Sequence, residues 1–225
     1  GTGLSSHELN QPGCYRDVKD TTVVAQFKML DPKPEMTQHG TPYFLAWTTT
    51  PWTLSSNTAL CVGPKIEYVA VQSFNPYTGE PATYVCAKAL LNAHFNPKAA
   101  DIAFEDYKPG DKLVPFKVVA EYKGTDLVGM KYEQLLPWIT PENADQAFRV
   151  IPGDYVTTED GTGIVHIAPT FGADDAKVAK AAGIPPLQLI DKNGNLRPSV
   201  DLTGKFYLLS DLDDEYVKTH INVEE

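Results

Sequence analysis

Residues 161–175 read GTGIVHIAPTFGADD, and the folding of that stretch orders the rest of the chain. Glu159-Asp160-Gly161 has turn chemistry, and a short β-branched strand carrying His166 follows it. Pro169 breaks the strand. Asp174 and Asp175 then fall in the first turn of a helix predicted to run through DDAKVAKAAG to Gly183. A strand end that runs into a helix N-terminus leaves backbone N–H groups unpaired and favours a charged carboxylate beside them. An imidazole and a carboxylate nine residues apart would then converge on one pocket from strand and helix. The same residues also fit a purely structural reading, in which the aspartates cap the helix and His166 is a satisfied strand residue. The stretch by itself leaves both open.

Outward from it, the chain is a series of short apolar runs. Strands are predicted over Thr21–Leu30, Pro42–Thr50, Thr58–Val62, Glu67–Phe74, Ala82–Ala87, Ile102–Tyr107, Leu113–Tyr122 and Leu127–Tyr132, with Leu187–Ile190 and Lys205–Leu209 as weaker candidates. Trp52–Asn57 is expected to be a turn or a single helical turn. Ala87–Phe95 is short and helix-like, Asn143–Phe148 is loop or short helix, and Ser210–His220 is a helix with Ser210 as its N-cap. Residues 1–20 read as a lead-in segment. Many short strands with few helices predict a mixed α/β (α+β), strand-rich, β-barrel-like fold with short peripheral helices, formed as one domain over 1–225.

Composition narrows the function. The 225 residues carry a net charge of −10, so a broad basic face for nucleic acid is excluded, and any RNA substrate is gripped over a small area only. No apolar run reaches the ~20 residues of a membrane span, and the first residues lack a secretion pattern; a cytoplasmic protein is expected. Cys14, Cys61 and Cys86 lack zinc spacing and read as reduced, buried thiols. Asp191-Lys-Asn193-Gly194 fails the calcium-loop pattern because its glycine comes too early, and reads as a turn. His7, His39, His94 and His220 are isolated, and neither GxSxG nor HExxH occurs.

The second unusual stretch is Trp47–Asn57, WTTTPWTLSSN. Strand alternation puts Thr48 and Thr50 on one side and Thr49 on the other. Their hydroxyls, walled by two tryptophans, could position water and a sugar or carbonyl oxygen. A half-buried strand with outward hydroxyls is the plainer alternative.

WTTTPWTLSSN followed by GTGIVHIAPTFGADD resembles the editing domain inserted in isoleucyl-tRNA synthetases. The likeness extends over nearly the whole chain, through YRDVKDTTV near the start, DLVGMKYE at 126–133 and DYVTTEDGTG at 154–163. Valyl and leucyl relatives typically place Arg after two threonines and lack the histidine of HIAP. Ser55-Ser56 departs from the family, where proline and a small residue are common. Neither an HIGH-like nor a KMSKS-like signature of the synthetic site is present.

The resemblance implies hydrolytic proofreading: cleavage of the ester of valyl-tRNA(Ile), and of valyl-adenylate as a further candidate substrate, with isoleucine refused by size. It implies Asp175 as partner of the substrate α-ammonium, with Asp174 as the alternative on helix geometry. It implies His166 as a wall of the side-chain pocket, and Thr48, Thr49 and Thr50 as contacts to the terminal adenosine and amino acid. Trp52, Asn57, Gly172 and Phe171 are placed near the substrate. No metal or cofactor is expected, because an activated ester needs only a positioned water and oxyanion donors. The expected partners are the tRNA(Ile) acceptor end and the remainder of a synthetase, with a monomer as the default. The alternatives are a non-catalytic acceptor-end binding module and the deacylase of a valyl- or leucyl-type enzyme.

Overall fold

Alternation along the first strand shows how the core is assembled. In β1 (Val23–Lys28), Ala25 and Phe27 are buried while Val24 and Lys28 face solvent. A computed structural model describes residues 21–222 of the chain, so the lead-in segment, His7 and Cys14 lie outside the described residues. β1 pairs antiparallel with β2 (Thr41–Thr48). Then come β3 (Ala59–Val62), β4 (Glu67–Phe74), β5 (Pro81–Ala87) and β6 (Lys117–Lys123). The larger sheet has five strands in the order β1-β2-β5-β4-β6, with β2 and β5 parallel and the other neighbours antiparallel. The smaller sheet sets β3 between β7 (Arg149–Pro152) and β8 (Ile164–Ile167).

The central strands are buried on both faces. One face sends Phe44, Ala46, Tyr68, Ala70, Val85 and Ala87 into a core shared with Leu60, Val62 and Ile164 of the smaller sheet. The other face packs Leu45, Val69, Val71, Tyr84 and Cys86 under Phe95 and Phe116. Each fully buried large apolar side chain in these layers contributes roughly 1.5–3 kcal/mol. The sheets join at one corner, where Ala87 N–H donates to Thr162 O at 2.8 Å and the Tyr68 hydroxyl donates to Gly163 O at 2.6 Å. Gly163 has φ +72, and a Cβ there would meet the Ala87 Cβ at 2.4 Å, so only glycine permits this approach.

At the other side, β-bridges Met29↔Tyr132 and Lys131↔Arg149 stitch the edge of β1 to β7. Two sheets therefore wrap one core with their edges tied. The strand-rich α+β class is as expected, and the barrel character is partial, without a closed ladder among the described residues.

Four expected elements differ. Residues 127–132 form no strand: a helical turn, Gly124–Leu127, held by Asp126 accepting from Lys123 N–H at 2.8 Å, leads through Gly129 at φ +88 into the two bridging residues. Residues 102–107 form one 3-10 turn, because Phe104 and Tyr107 pack their rings on His39 and Phe74 instead of alternating across a sheet. The strand expected from Leu113 begins only at Lys117, since Pro115 has no N–H for the ladder. Residues 205–209 contribute a single bridge, Val200↔Phe206, around a turn centred on Asp201.

Among the described residues two helices exceed one α-turn, α1 (Ala173–Ala181) and α2 (Asp214–His220). The cap of α2 is Asp213, which accepts from Glu215 and Tyr216 N–H, whereas Ser210 lies in a preceding 3-10 turn. α1 covers the smaller sheet, packing Ala179 against Ala59, Cys61, Ile151 and Ile167. Residues 189–190 and 196–197 form a small hairpin. Its tip is held by Asp191, whose carboxylate accepts from Asn193 N–H, Asn195 N–H and Arg197 Nε. These donors hold its carboxyl down at about 2. No helix among the described residues is long and apolar enough to cross a membrane.

Candidate active site

The inward face of β2 ends at Thr48, in line with Phe44 and Ala46, and Thr48 is buried. Thr50 then leaves the strand at φ −125, ψ 68, and Pro51 opens the 3-10 turn Pro51–Ser56. Thr50 N–H donates to Thr48 Oγ1 at 3.0 Å, and the two hydroxyls lie 3.3 Å apart. Thr48 and Thr50 thus share a side and Thr49 faces solvent. The turn carries Thr53 back over Thr50. Its N–H donates to Thr50 O at 3.0 Å, its hydroxyl donates to the same oxygen at 2.8 Å, and Oγ1 lies 3.4 Å from Thr50 Oγ1.

His166 arrives from the other sheet. It sits opposite Leu60 in the β3–β8 register, and its Nε2 lies 3.1 Å from Thr53 Oγ1. Only 8% of the residue is exposed. Burial pushes its pKa down from 6.5 to about 4, so the ring is neutral at pH 7. Nδ1 has no protein partner among the described residues.

Asp175 lies in the first turn of α1. Its Oδ2 accepts from Ala168 N–H at 2.9 Å, two residues beyond His166. Burial raises its pKa, the Ala168 N–H opposes that, and the neighbouring Asp174 charge adds to the rise. Asp174 points to solvent and pairs with Lys177 at 3.1 Å. Of the two carboxylates, Asp175 turns inward. Gly172 makes room for it: a Cβ there would sit 2.9 Å from Asp175 Cγ. Phe171, half-buried beside Gly172, donates its N–H to Ala168 O at 3.0 Å and tightens the same loop.

Thr48, Thr50 and His166 therefore belong to one hydrogen-bonded run with Thr53, and Asp175 anchors at the exit of the strand that carries His166. No direct hydrogen bond links Asp175 to that run. Thr49 and Trp52 lie at the surface, Trp52 with 51% exposure. Asn57 is buried, with Nδ2 donating to Ala59 O at 2.8 Å and Oδ1 accepting from the Tyr132 hydroxyl at 2.7 Å. Its amide braces the turn against β3 and the bridging segment. Thr53 is the residue that sequence reading passed over, although its place three residues after Thr50, behind Pro51, is the spacing of a helical turn. Ser199 carried no such signal. It contacts the Ser55 and Ser56 hydroxyls at 3.2 and 3.0 Å from more than 140 residues away and completes the turn that departs from the family pattern.

The larger clefts lie elsewhere. One of about 550 Å³ runs over the outer face of the larger sheet, beside Gln26, Tyr84 and Lys112, and includes none of these residues. The buried inward orientation of polar groups at the strand ends is the better guide to chemistry than cleft size. Cys61 and Cys86 are free, buried thiols. Burial raises both, Cys86 to about 12, which leaves them unreactive.

No family model matches the chain. The chain is 80% identical over 224 residues to isoleucine–tRNA ligase of Bacteroides fragilis, a match that covers 100% of this chain and 20% of that relative. Identity to the isoleucine–tRNA ligase of Porphyromonas gingivalis is 65%, over 99% of this chain and 20% of that relative. For Thermoplasma acidophilum it is 38%, over 91% and 17%. Among solved structures it is similar to the editing domain of the P. knowlesi cytosolic leucyl-tRNA synthetase, with a TM-score of 0.52 and 15% identity over 69% of this chain and 60% of that one, a likeness of fold alone. The chain spans about a fifth of the length of the curated relatives it matches. It belongs to the isoleucine–tRNA ligase family, as a segment with the fold of a synthetase editing domain.

Proposed function

We propose that this segment hydrolyses valine mis-attached to tRNA(Ile), and valyl-adenylate with it, while sparing isoleucine. One observation carries the reading. A neutral buried imidazole, a run of hydroxyls and a single inward carboxylate gather where β2 and β8 end and α1 begins. Isoleucine and valine differ by one methylene, worth only ~1–3 kcal/mol, and this amino-acid pair is a standard illustration of why a synthesis site alone cannot separate them. A second pocket with a hard wall solves the problem from the other side.

Asp175 is suited to hold the α-ammonium of the aminoacyl ester by a charge-assisted hydrogen bond. His166, uncharged at pH 7, supplies the wall and adds no charge of the ammonium's own sign. Thr48 and Thr50 face the ester and ribose oxygens, while Thr49 and the open ring of Trp52 offer contacts to the terminal adenosine. A water attacks the carbonyl carbon and the bond to the ribose oxygen breaks. The proton passes to that oxygen, and free valine leaves. An ester this activated needs positioning and oxyanion donors, and neither a covalent nucleophile nor a metal is part of the proposal.

The net charge of −10 supports a division of labour in which the remainder of a synthetase grips the tRNA body and presents only the acceptor end here. We place the activity in the cytoplasm, in a monomer. The test is single-turnover deacylation of valyl-tRNA(Ile) beside isoleucyl-tRNA(Ile), with wild type and Asp175→Ala at high enzyme concentration. Selective loss of valine by wild type alone is expected. If neither ester is cleaved above background, a non-catalytic acceptor-end binding module replaces this reading.

A further inference from the structure

His166 has one polar tether. Nε2 meets Thr53 Oγ1 at 3.1 Å, and Nδ1 meets no protein group among the described residues. The Thr53 hydroxyl carries a single hydrogen. Its shortest contact, 2.8 Å, is to the Thr50 carbonyl, which can only accept. That hydrogen is committed to Thr50, so toward the imidazole the Thr53 oxygen accepts. Nε2 must then carry the ring proton, and Nδ1 is bare.

We propose that Thr53 is a specificity-positioning residue: its hydroxyl fixes the tautomer and ring orientation of His166, and through them the wall that divides valine from isoleucine. The proposal rests on the reading of His166 as that wall. The physical need is plain. Rotation of an imidazole about its Cβ–Cγ bond is a soft, broad torsion. Packing against apolar neighbours leaves the ring free to tilt and so to move the wall, whereas a hydrogen bond to one ring nitrogen holds its angle. Rotation away would carry the N–H off Thr53 and leave it buried without a partner, while the Thr53 hydroxyl keeps its bond to Thr50 O.

Thr53 is itself held rigidly. Its N–H and its hydroxyl both end on Thr50 O, at 3.0 and 2.8 Å. Its Oγ1 also lies 3.4 Å from Thr50 Oγ1, which is 3.3 Å from Thr48 Oγ1. The hydroxyls assigned to the ester side and the wall assigned to the side-chain end are thus parts of one run, with Thr53 as the link.

Thr53→Val keeps the branched shape and removes the hydroxyl, and Thr53→Ser keeps the hydroxyl. The ratio of kcat/KM for isoleucyl-tRNA(Ile) to that for valyl-tRNA(Ile) is expected to rise about tenfold in the valine variant, within the range one methylene can command, and to return in the serine variant. Equal rate loss on both esters, with the ratio unchanged, would show a merely structural residue and overturn the proposal. A second measurement needs no substrate. The ¹⁵N shifts of His166 in the wild-type chain should report a protonated Nε2 and a bare Nδ1, and Thr53→Val should mix the tautomers. A wild-type ring protonated on Nδ1, or a tautomer indifferent to Thr53→Val, removes the lock. Because the spectrum is read without turnover, failure of the lock and failure of the editing reading are separable.

Discussion

Lowering the pH should destabilise this fold through His166 in a window set by its burial. In the unfolded chain the group titrates near 6.5, and in the folded chain burial lowers it to about 4. Between those values the unfolded state binds the proton and the folded state does not, so stability falls as pH falls. The contribution is complete above about 6.5 and exhausted below about 4. At about 1.4 kcal/mol per unit, the full difference is about 3 kcal/mol, a large share of the ~5–15 kcal/mol that holds a domain together. Urea unfolding at steps from about pH 7.5 to 4.5 measures it, if wild type is compared with His166→Gln, whose side chain does not titrate. Carboxylates and the other histidines change protonation in both proteins and cancel in the difference. Wild type should lose roughly 2–3 kcal/mol more than the variant across that range. Parallel curves would mean that the ring is solvated in the native state. A wild type that gains stability toward acid would mean that a carboxylate pairs with it.

Three other perturbations separate site from scaffold. Asp175→Asn should keep the hydrogen bond from Ala168 and lose the charge, cutting valyl-ester hydrolysis by roughly 100-fold at nearly unchanged stability; comparable activity would remove the ammonium anchor. Gly172→Ala should behave as a mild version of the same lesion. Its φ of −104 suits any residue, but the new Cβ comes 2.9 Å from Asp175 Cγ and must swing the carboxylate off Ala168; urea midpoints within ~1 kcal/mol of wild type, with deacylation down about tenfold, would bear this out. Asn57→Ala should instead cost about 2–3 kcal/mol in chemical denaturation, because it strands the fully buried Tyr132 hydroxyl; an unaffected midpoint would return Asn57 to the substrate-contact group.

How far the chain could be read beforehand depended on whether partners were local. β2, β4, β5 and β8 were legible because buried β-branched and aromatic residues recur in short runs stopped by Pro or Gly, and these runs pair over several residues. The stitch between sheets was not, since a pairing of single bridges at Tyr132 and Lys131 leaves no periodicity in residues 127–132. At the site, Thr48 and Thr50 followed from alternation, while the inward turn of Asp175 against Asp174 was open until the loop at Ala168 was placed. Thr53 was readable in principle, from its spacing behind Pro51. The brace of Asn57 was not, because Tyr132 lies 75 residues away.

On the proposed reading, the burial of His166 serves two ends together, at a cost in acid stability. A residue proposed to turn away one methylene has to be stiff, which fits its place between two packed sheets and its hydrogen bond to Thr53. The same desolvation removes its charge at pH 7. For the proposed ligand, which carries an ammonium, this matters, because an imidazolium in the same pocket would oppose Asp175 in its proposed role as the charge that attracts it. A solvated histidine would spare the fold its acid sensitivity, but it would be mobile and partly charged near neutrality. The stability lost below about pH 6.5 and the proposed discrimination at pH 7 therefore share one cause, and a variant that restores solvent to this ring should relieve the first and weaken the second together.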